Sequence, residues 1–317
     1  MADRHDRCGA CPARARPSEG STTRRSPAHV DRGRTIVNRL AATTAVALVL
    51  ILGANVTLAA QARRGQVRTT WNDDRILTIL VIGSDTGLPR RGNPLRGRAD
   101  AIHIIAVDTR KRRATIVDIP RDSNIGGTKV NAHLSRGGPT ALKSVLSQYT
   151  NIKLDYYALT SFRGLRGLVR GLGGVPVTLN RPIRDSASRA SLRQGRQRLD
   201  SFDALAFSRA RKTIPGGDFG RTKHQGALLR AAHRKLRDQQ LDLLAMTRLI
   251  GIFARNTATD IPRAELFRMA ALAVSIKPKN VKQVALSGPT GLAGGQSIVH
   301  LRSGSAFSDI RKRRIGR

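Results

Sequence analysis

Cysteine is nearly missing from this chain: Cys8 and Cys11 are the only two among 317 residues, and both lie near the N-terminus. No disulfide can therefore hold the rest of the chain together. The pair stands as "CGAC" with His5 nearby, but no second Cys/His pair follows to complete the four ligands of a structural zinc site. Aromatic residues make up 3 % of the sequence, so few rings are available on which the bases of a single-stranded nucleic acid could stack. Catalytic signatures are missing as well. There is no GxSxG elbow, no HExxH and no P-loop. The seven histidines show no ligand spacing, and His103, alone in a predicted strand, reads as a packed side chain. Serine-elbow hydrolysis, zinc peptidase chemistry and P-loop nucleotide hydrolysis are excluded, and no thiol nucleophile exists beyond the N-terminal tail.

Acidic residues are also scarce. Asp and Glu number 21 against 57 Lys and Arg, a formal net charge of +36. A surplus of that size calls for a polyanionic partner, whether nucleic acid, an anionic membrane surface or a phosphorylated substrate. Hydrophobic residues make up 40 %, enough for a substantial core. Residues 1–39 are polar and basic, without apolar periodicity, and read as a disordered tail. Residues 40–62, "LAATTAVALVLILGANVTLAAQA", carry no charge and are long enough to cross a hydrocarbon core of about 30 Å as one transmembrane helix. The closing "AQA" resembles a cleavage site, but the long basic stretch before the apolar run favours an uncleaved signal anchor. The more basic N-terminal side is expected in the cytoplasm, with residues 63–317 outside the cell membrane as a single-pass protein. That placement argues against nucleic acid as the partner.

After a short linker, 63–75, the pattern alternates between strands and helices. "ILTILVIGSD" (76–85) is a near-continuous apolar run, as suits a strand buried on both faces. "AIHIIAVDT" (101–109) and "RATIVDIP" (113–120) predict a hairpin across "TRKRR". Helices are expected at 139–150, 162–174, 201–211 (capped by Ser201), 219–240, 241–255 and 262–273, with short strands at 175–179 and 282–288. Residues 181–200 read as a charged, serine-rich flexible loop, and "IRKRRIGR" as a frayed end. The fold class is α/β, a three-layer α/β/α sandwich with a mixed central sheet, spanning 76–290 and followed by a tail, 291–317.

Polar clusters stand at strand and helix ends: Asp85 in "GSD", Arg98 and Asp100 in "RAD", Arg121 and Asp122 in "PRD", Lys129 and Asn131 in "KVN". A last group comprises Arg209, Arg211, Asp218, Arg221 and Gln225. Carboxylates at neighbouring strand ends can share magnesium, which takes one or two carboxylates together with water and phosphate oxygens. Guanidinium forks match phosphate oxygens bidentately. Together they suit a diphosphate site; equally, the same residues could pair with one another as structural salt bridges. On a regular helix Arg209 and Arg211 stand about 200° apart, so both reach one site only if the helix ends between them. Arg221 and Gln225, four apart, share a face.

In this order, "LVIGSD" (80–85), "RAD" (98–100), "IPRD" (119–122), "KVNAHLSRGG" (129–138), "LDYY" (154–157), "LGGVPV" (172–177), "LDSFDALAFSRAR" (199–211) and "GDFGRTKHQ" (217–225) resemble the LytR–CpsA–Psr family of cell-envelope glycopolymer transferases. The resemblance covers roughly 76–240. It implies an α/β/α fold with an apolar groove for a polyprenyl diphosphate-linked glycan, whose phosphoglycan is passed to peptidoglycan. By motif, Asp85 and Asp100 would hold Mg2+ (or Mn2+), while Arg121, Arg209, Arg211 and Arg221, with Gln225, would clamp the diphosphate. Arg98 would sit near the reacting phosphate, and Asp85, Asp100 and Asp122 are the candidate bases. Three positions depart from the pattern: Gly87 where arginine is frequent (Arg90 or Arg91 standing in), Ala101 where threonine is usual, and His224 where arginine is usual. Two other readings share the same features: a non-catalytic lipid-binding scaffold and a membrane-tethered transcription regulator.

Overall fold

The computed structural model describes residues 76–86, 93–239 and 241–317. The expected transmembrane segment, the CGAC pair, Gly87, Arg90 and Arg91 lie outside the described residues. Among those described, no helix is long and apolar enough to cross a membrane.

The chain opens with β1 (Ile76–Ser84), then β2 (Ala99–Asp108) and β3 (Arg113–Asp118), the expected hairpin. A small ribbon, β4 (Asn124–Ile125) and β5 (Thr128–Lys129), leads to α1 (Ala132–Thr150) and β6 (Tyr156–Thr160). Next come α2 (Phe162–Gly171), β7 (Val175–Leu179), β8 (Ile183–Asp185), β9 (Ala190–Leu192), β10 (Gly195–Leu199) and α3 (Ser201–Arg209). The remainder is α4 (Asp218–Asp238), α5 (Leu243–Asn256), β11 (Ala258–Thr259), α6 (Arg263–Ser275), β12 (Val281–Ala285), β13 (Thr290–Ala293), β14 (Gln296–Val299) and α7 (Ala306–Arg311).

Six strands form the central sheet in the order β11-β6-β1-β2-β3-β12. Pairings β1–β6 and β3–β12 are parallel, the others antiparallel, so the sheet is mixed as expected. Alternation along the strands sends two sets of side chains to opposite faces. Leu80, Ile82, Ile102, Ile104 and Val117 pack against Leu142 and Leu146 of α1 and Phe307 and Ile310 of α7. Leu77, Val107, Ala114 and Ile116 meet Leu272 of α6 and Leu229 of α4 on the other face. Helices therefore cover both sides, which makes the three layers. Each fully buried Leu or Ile contributes about 1.5–3 kcal/mol.

Three local expectations are corrected. Residues 181–200 are not a flexible loop: β8 pairs β9, β10 pairs β7, and Ile183, Ala190, Leu192 and Leu199 are buried. The many arginines and serines hide an alternation whose every second residue points inward. The cap of α3 is Asp200, whose carboxylate accepts from the backbone N–H of Phe202 and Asp203, rather than Ser201. The basic C-terminus is docked: Ile310 and Ile315 are buried, and the Gly316 N–H donates to Thr115 Oγ1 at 2.9 Å. Two isoleucines at that spacing anchor an end whose charge suggested fraying.

Candidate functional site

Because β1 is parallel to β6 and β2 runs antiparallel to both β1 and β3, the carboxyl ends of β1, β3 and β6 share one edge with the start of β2. Loops converge at such an edge, the usual place for a ligand in open α/β sheets. A bulge shapes it further. Gly83 pairs with Ala101 and Ser84 with Ala99, leaving Asp100 as the extra residue. Strict alternation would put Asp100 and Ala101 on opposite faces. The bulge re-aims Asp100, so that it lines the same cavity as Ala101 and His103. That re-aiming is invisible in a linear motif.

The arginine segment follows the geometric expectation. α3 ends at Arg209, and Ala210 leaves the helix with ψ 133°. The turn uses Gly216 and Gly217 at φ 78° and 51°, a region that favours glycine. α4 then starts at Asp218, with Arg221 and Gln225 buried on one face. Arg209, Arg211, Arg221, Gln225 and Asp100 all line one cavity of about 300 Å3. Gln225 Nε2 donates to the carbonyls of Ser208 (3.0 Å) and Asp100 (3.3 Å), tying α4 to both α3 and the bulge.

Arg121 stands behind this wall as an ionic hub. Its guanidinium is 2.7 Å from Asp100, 3.6 Å from Asp218 and 3.7 Å from Asp122, and Lys129 pairs with Asp122 at 3.2 Å. Asp218 also meets Arg221 (3.3 Å) and Arg211 (3.4 Å). Burial alone would raise the Asp218 carboxyl, but Arg221, Arg121 and Arg211 outweigh it and hold it below the usual range. Burial, then Arg121, lowers Arg221 from the ordinary guanidinium value. Both salt-bridge pairing and ligand capacity are present. The Nε atoms of Arg121 and Arg221 and the Oε1 of Gln225 are buried without a hydrogen-bond partner, so polar capacity at this site is left over.

Arg98 and Asp85 sit apart from that cavity's lining. Arg98 is exposed, and its backbone N–H donates to Asp85 Oδ1 at 2.8 Å. Asp85 is buried at the end of β1, and the Asp85 N–H returns a bond to the Arg98 carbonyl at 3.0 Å. A side chain at Gly97 would collide with Ser84 Oγ, so glycine is required where the two strand ends approach. Among the described residues no group of three or more His, Cys, Asp and Glu could hold a metal by itself.

Two features were missed in the sequence. Asp185, 3 % exposed, accepts from the backbone N–H groups of Arg211 (2.7 Å), Lys212 (2.8 Å) and Ser188 (3.1 Å). Burial pushes it up, and these donors more than offset that, so its carboxyl lies below the usual value. It fixes the segment that carries Arg211, a contact between residues far apart in sequence. The second is the contact made by His224, noted above where arginine is usual: it stacks on Phe207 with ring centroids 4.5 Å apart. Burial, with Lys223 adding to it, lowers His224 to about 4, so it is neutral at pH 7 and supplies packing instead of the arginine's charge.

Behind the polar cavity a second one, about 290 Å3, runs between the sheet and α4 and α6, lined by Leu77, Ile79, Ile105, Val107, Leu236 and Met269 among others. Leu229 lines both cavities.

The LytR_cpsA_psr family model matches residues 52–312. The chain belongs to that family. Biofilm regulatory protein A of Streptococcus mutans serotype c is 26 % identical over 243 residues, covering 70 % of this chain and 59 % of the relative. The polyisoprenyl-teichoic acid–peptidoglycan teichoic acid transferase TagV of Bacillus subtilis is 23 % identical, covering 61 % and 52 %. The chain thus spans little more than half the length of these curated relatives. The crystal structure of B. subtilis TagV superimposes with a TM-score of 0.64 at 21 % identity, covering 76 % of this chain and 96 % of that one. TagT bound to LI-WTA gives 0.60 at 20 %, covering 78 % and 92 %. At these identities the likeness establishes the LytR_cpsA_psr fold.

Proposed function

We propose that this LytR_cpsA_psr protein transfers a phosphoglycan from a polyprenyl diphosphate carrier to peptidoglycan in wall assembly, anchored in the cell membrane by residues 40–62 with its domain outside. One observation carries the reading: a cavity walled by Arg209, Arg211 and Arg221 continues along the same sheet face into an apolar one. An anionic head joined to a long apolar tail matches that sequence of surfaces, and no free sugar phosphate does. The names of TagU and TagV relatives, as transferases acting on polyisoprenyl-teichoic acid and peptidoglycan, agree with it.

In this reading the arginines orient the diphosphate, and their fixed charge meets the charge that grows on the departing carrier phosphate. Arg121 holds Asp100 in place and shares Asp218 with Arg211 and Arg221. Asp85 and Asp100 are hard oxygen donors flanking one end of the β1–β2 ladder, and that donor chemistry fits a divalent cation completed by water and phosphate oxygens. They would hold Mg2+ or Mn2+, which when bound neutralises diphosphate charge.

The test uses the full chain in detergent with polyprenyl diphosphate-linked glycan, peptidoglycan and magnesium. Transfer with release of polyprenyl phosphate is expected, and Arg121→Ala and Asp85→Ala should each lower it by at least about a hundredfold. Undiminished transfer in both variants rules out this site. Carrier binding without turnover in the wild type would leave a lipid-binding scaffold instead.

A further inference from the structure

The register of the β1–β2 ladder measures depth along the two cavities. From the mouth inward come Asp100 and the Gly83–Ala101 pair, then Val81–His103, then Ile79–Ile105, then Leu77–Val107. Residues through His103 line the charged cavity, and those from Ile79–Ile105 onward line the apolar one. His103 is therefore the last polar side chain on this strip before the apolar cavity begins.

It is also part of a built pair. His103 is 2 % exposed and Asp118 0 %, with Nδ1 and Oδ1 2.8 Å apart. Gln283 Nε2 donates to the other oxygen of Asp118 at 2.5 Å. Gly226 lets α4 cross directly over this carboxylate, since a Cβ there would collide with both oxygens. An apolar pair would fill the same volume without the desolvation cost of a buried ionisable one. With Nδ1 facing Asp118, Nε2 is the ring nitrogen left to the cavity.

Resting on the carrier reading above, a lipid with its tail in the apolar cavity and its head among the arginines brings its carrier-side phosphate to the depth of His103. We infer that His103 binds that phosphate through Nε2, carrying a proton whose charge Asp118 balances. A neutral imidazole that gives its Nδ1 hydrogen to Asp118 offers only an acceptor lone pair at Nε2, and an ionised phosphate oxygen has no hydrogen to donate to it. An imidazolium donates from both nitrogens, so a head group held through Nε2 requires the pair to carry that proton, and proton uptake on binding reports it. The other charged groups facing this space are Asp100, Asp185, Arg209, Arg211, Lys212 and Arg221, with Asp118 behind the ring.

The experiment is calorimetric titration of the full chain in detergent with farnesyl diphosphate at pH 8, in buffers of different ionisation enthalpy. The wild type should take up about one proton per ligand bound. His103→Gln should bind about tenfold more weakly and take up none. Asp118→Asn, which preserves size, should lose most of the uptake, and thermal melts of both variants check that they fold. Wild-type binding without proton uptake overturns the inference, as does unchanged affinity and uptake in folded His103→Gln; either result leaves the transfer reading standing. A wild type that does not bind farnesyl diphosphate overturns both. If neither variant folds, the wild-type uptake decides.

Discussion

The two faces of the central sheet are made of the same kind of strand residue and come out differently. On one, Leu80, Ile82, Ile102 and Ile104 are sealed at 0 % exposure under α1 and α7. On the other, Val81, Gly83 and Ala101 line the charged cavity, Ile79 and Ile105 line the apolar one, and all five stay partly exposed. The strand sequences scarcely distinguish the faces. What differs is the cover: α1 presents leucines against the sheet, whereas α4 crosses with Arg221, Gln225 and Gly226 before its leucines begin. One face supplies stability, and the other gives up close packing for room.

Substitutions on each side should break that contrast if it is wrong. Leu142→Ala, on the sealed face, should cost about 2–5 kcal/mol in denaturant unfolding, because a closed core must keep the cavity that it creates. Leu229→Ala, between cavities that already exist, should cost only about 1 kcal/mol; equal costs would mean that the hollow face is packed as tightly as the other.

Next in size is a pH effect in the cover of the hollow face. His224 is lowered to about 4 in the folded chain from an ordinary 6.5, so the unfolded chain binds the extra proton first. Its contribution is complete above pH 6.5 and disappears as pH falls towards about 4. Relative to His224→Phe, the wild type should lose on the order of 1–3 kcal/mol across that window. Parallel stability curves for the two proteins would remove the assignment.

The smallest effect is expected at Asp185, which positions the hollow face's arginine segment without needing to touch a ligand. Asp185→Asn keeps one acceptor oxygen and should weaken farnesyl diphosphate binding by about three- to tenfold, near 1 kcal/mol. Stability loss with unchanged binding would make it a purely structural residue.

Much of this was legible beforehand. The apolar runs at 76–85 and 101–120 fold as β1 to β3, and the amphipathic repeats became α2, α4, α5 and α6 close to the expected bounds. Helical period put Arg209 and Arg211 about 200° apart, so both could reach one site only if the helix, expected to run to 211, ended between them; the chain does leave the helix at Ala210. The strands within 181–200 were obscured because a two-residue period over three-residue strands gives too few apolar positions to stand out among arginines. His103 read as a packed side chain, and it is packed, but its carboxylate partner lies 15 residues away on the neighbouring strand.

The sequence by itself determined β1 to β3, β7, β12 and the longer helices, and which residue types stand at their ends, because those depend on local period and turns. It also determined the family, through motifs in a fixed order. Only the tertiary structure decided which of those end residues meet: the bulge that turns Asp100 inward, the Asp185 bonds to Arg211 and Lys212, and the pairing of His103 with Asp118. Each depends on strand register or on a contact distant in sequence, and neither leaves a periodic signal in the chain that makes it.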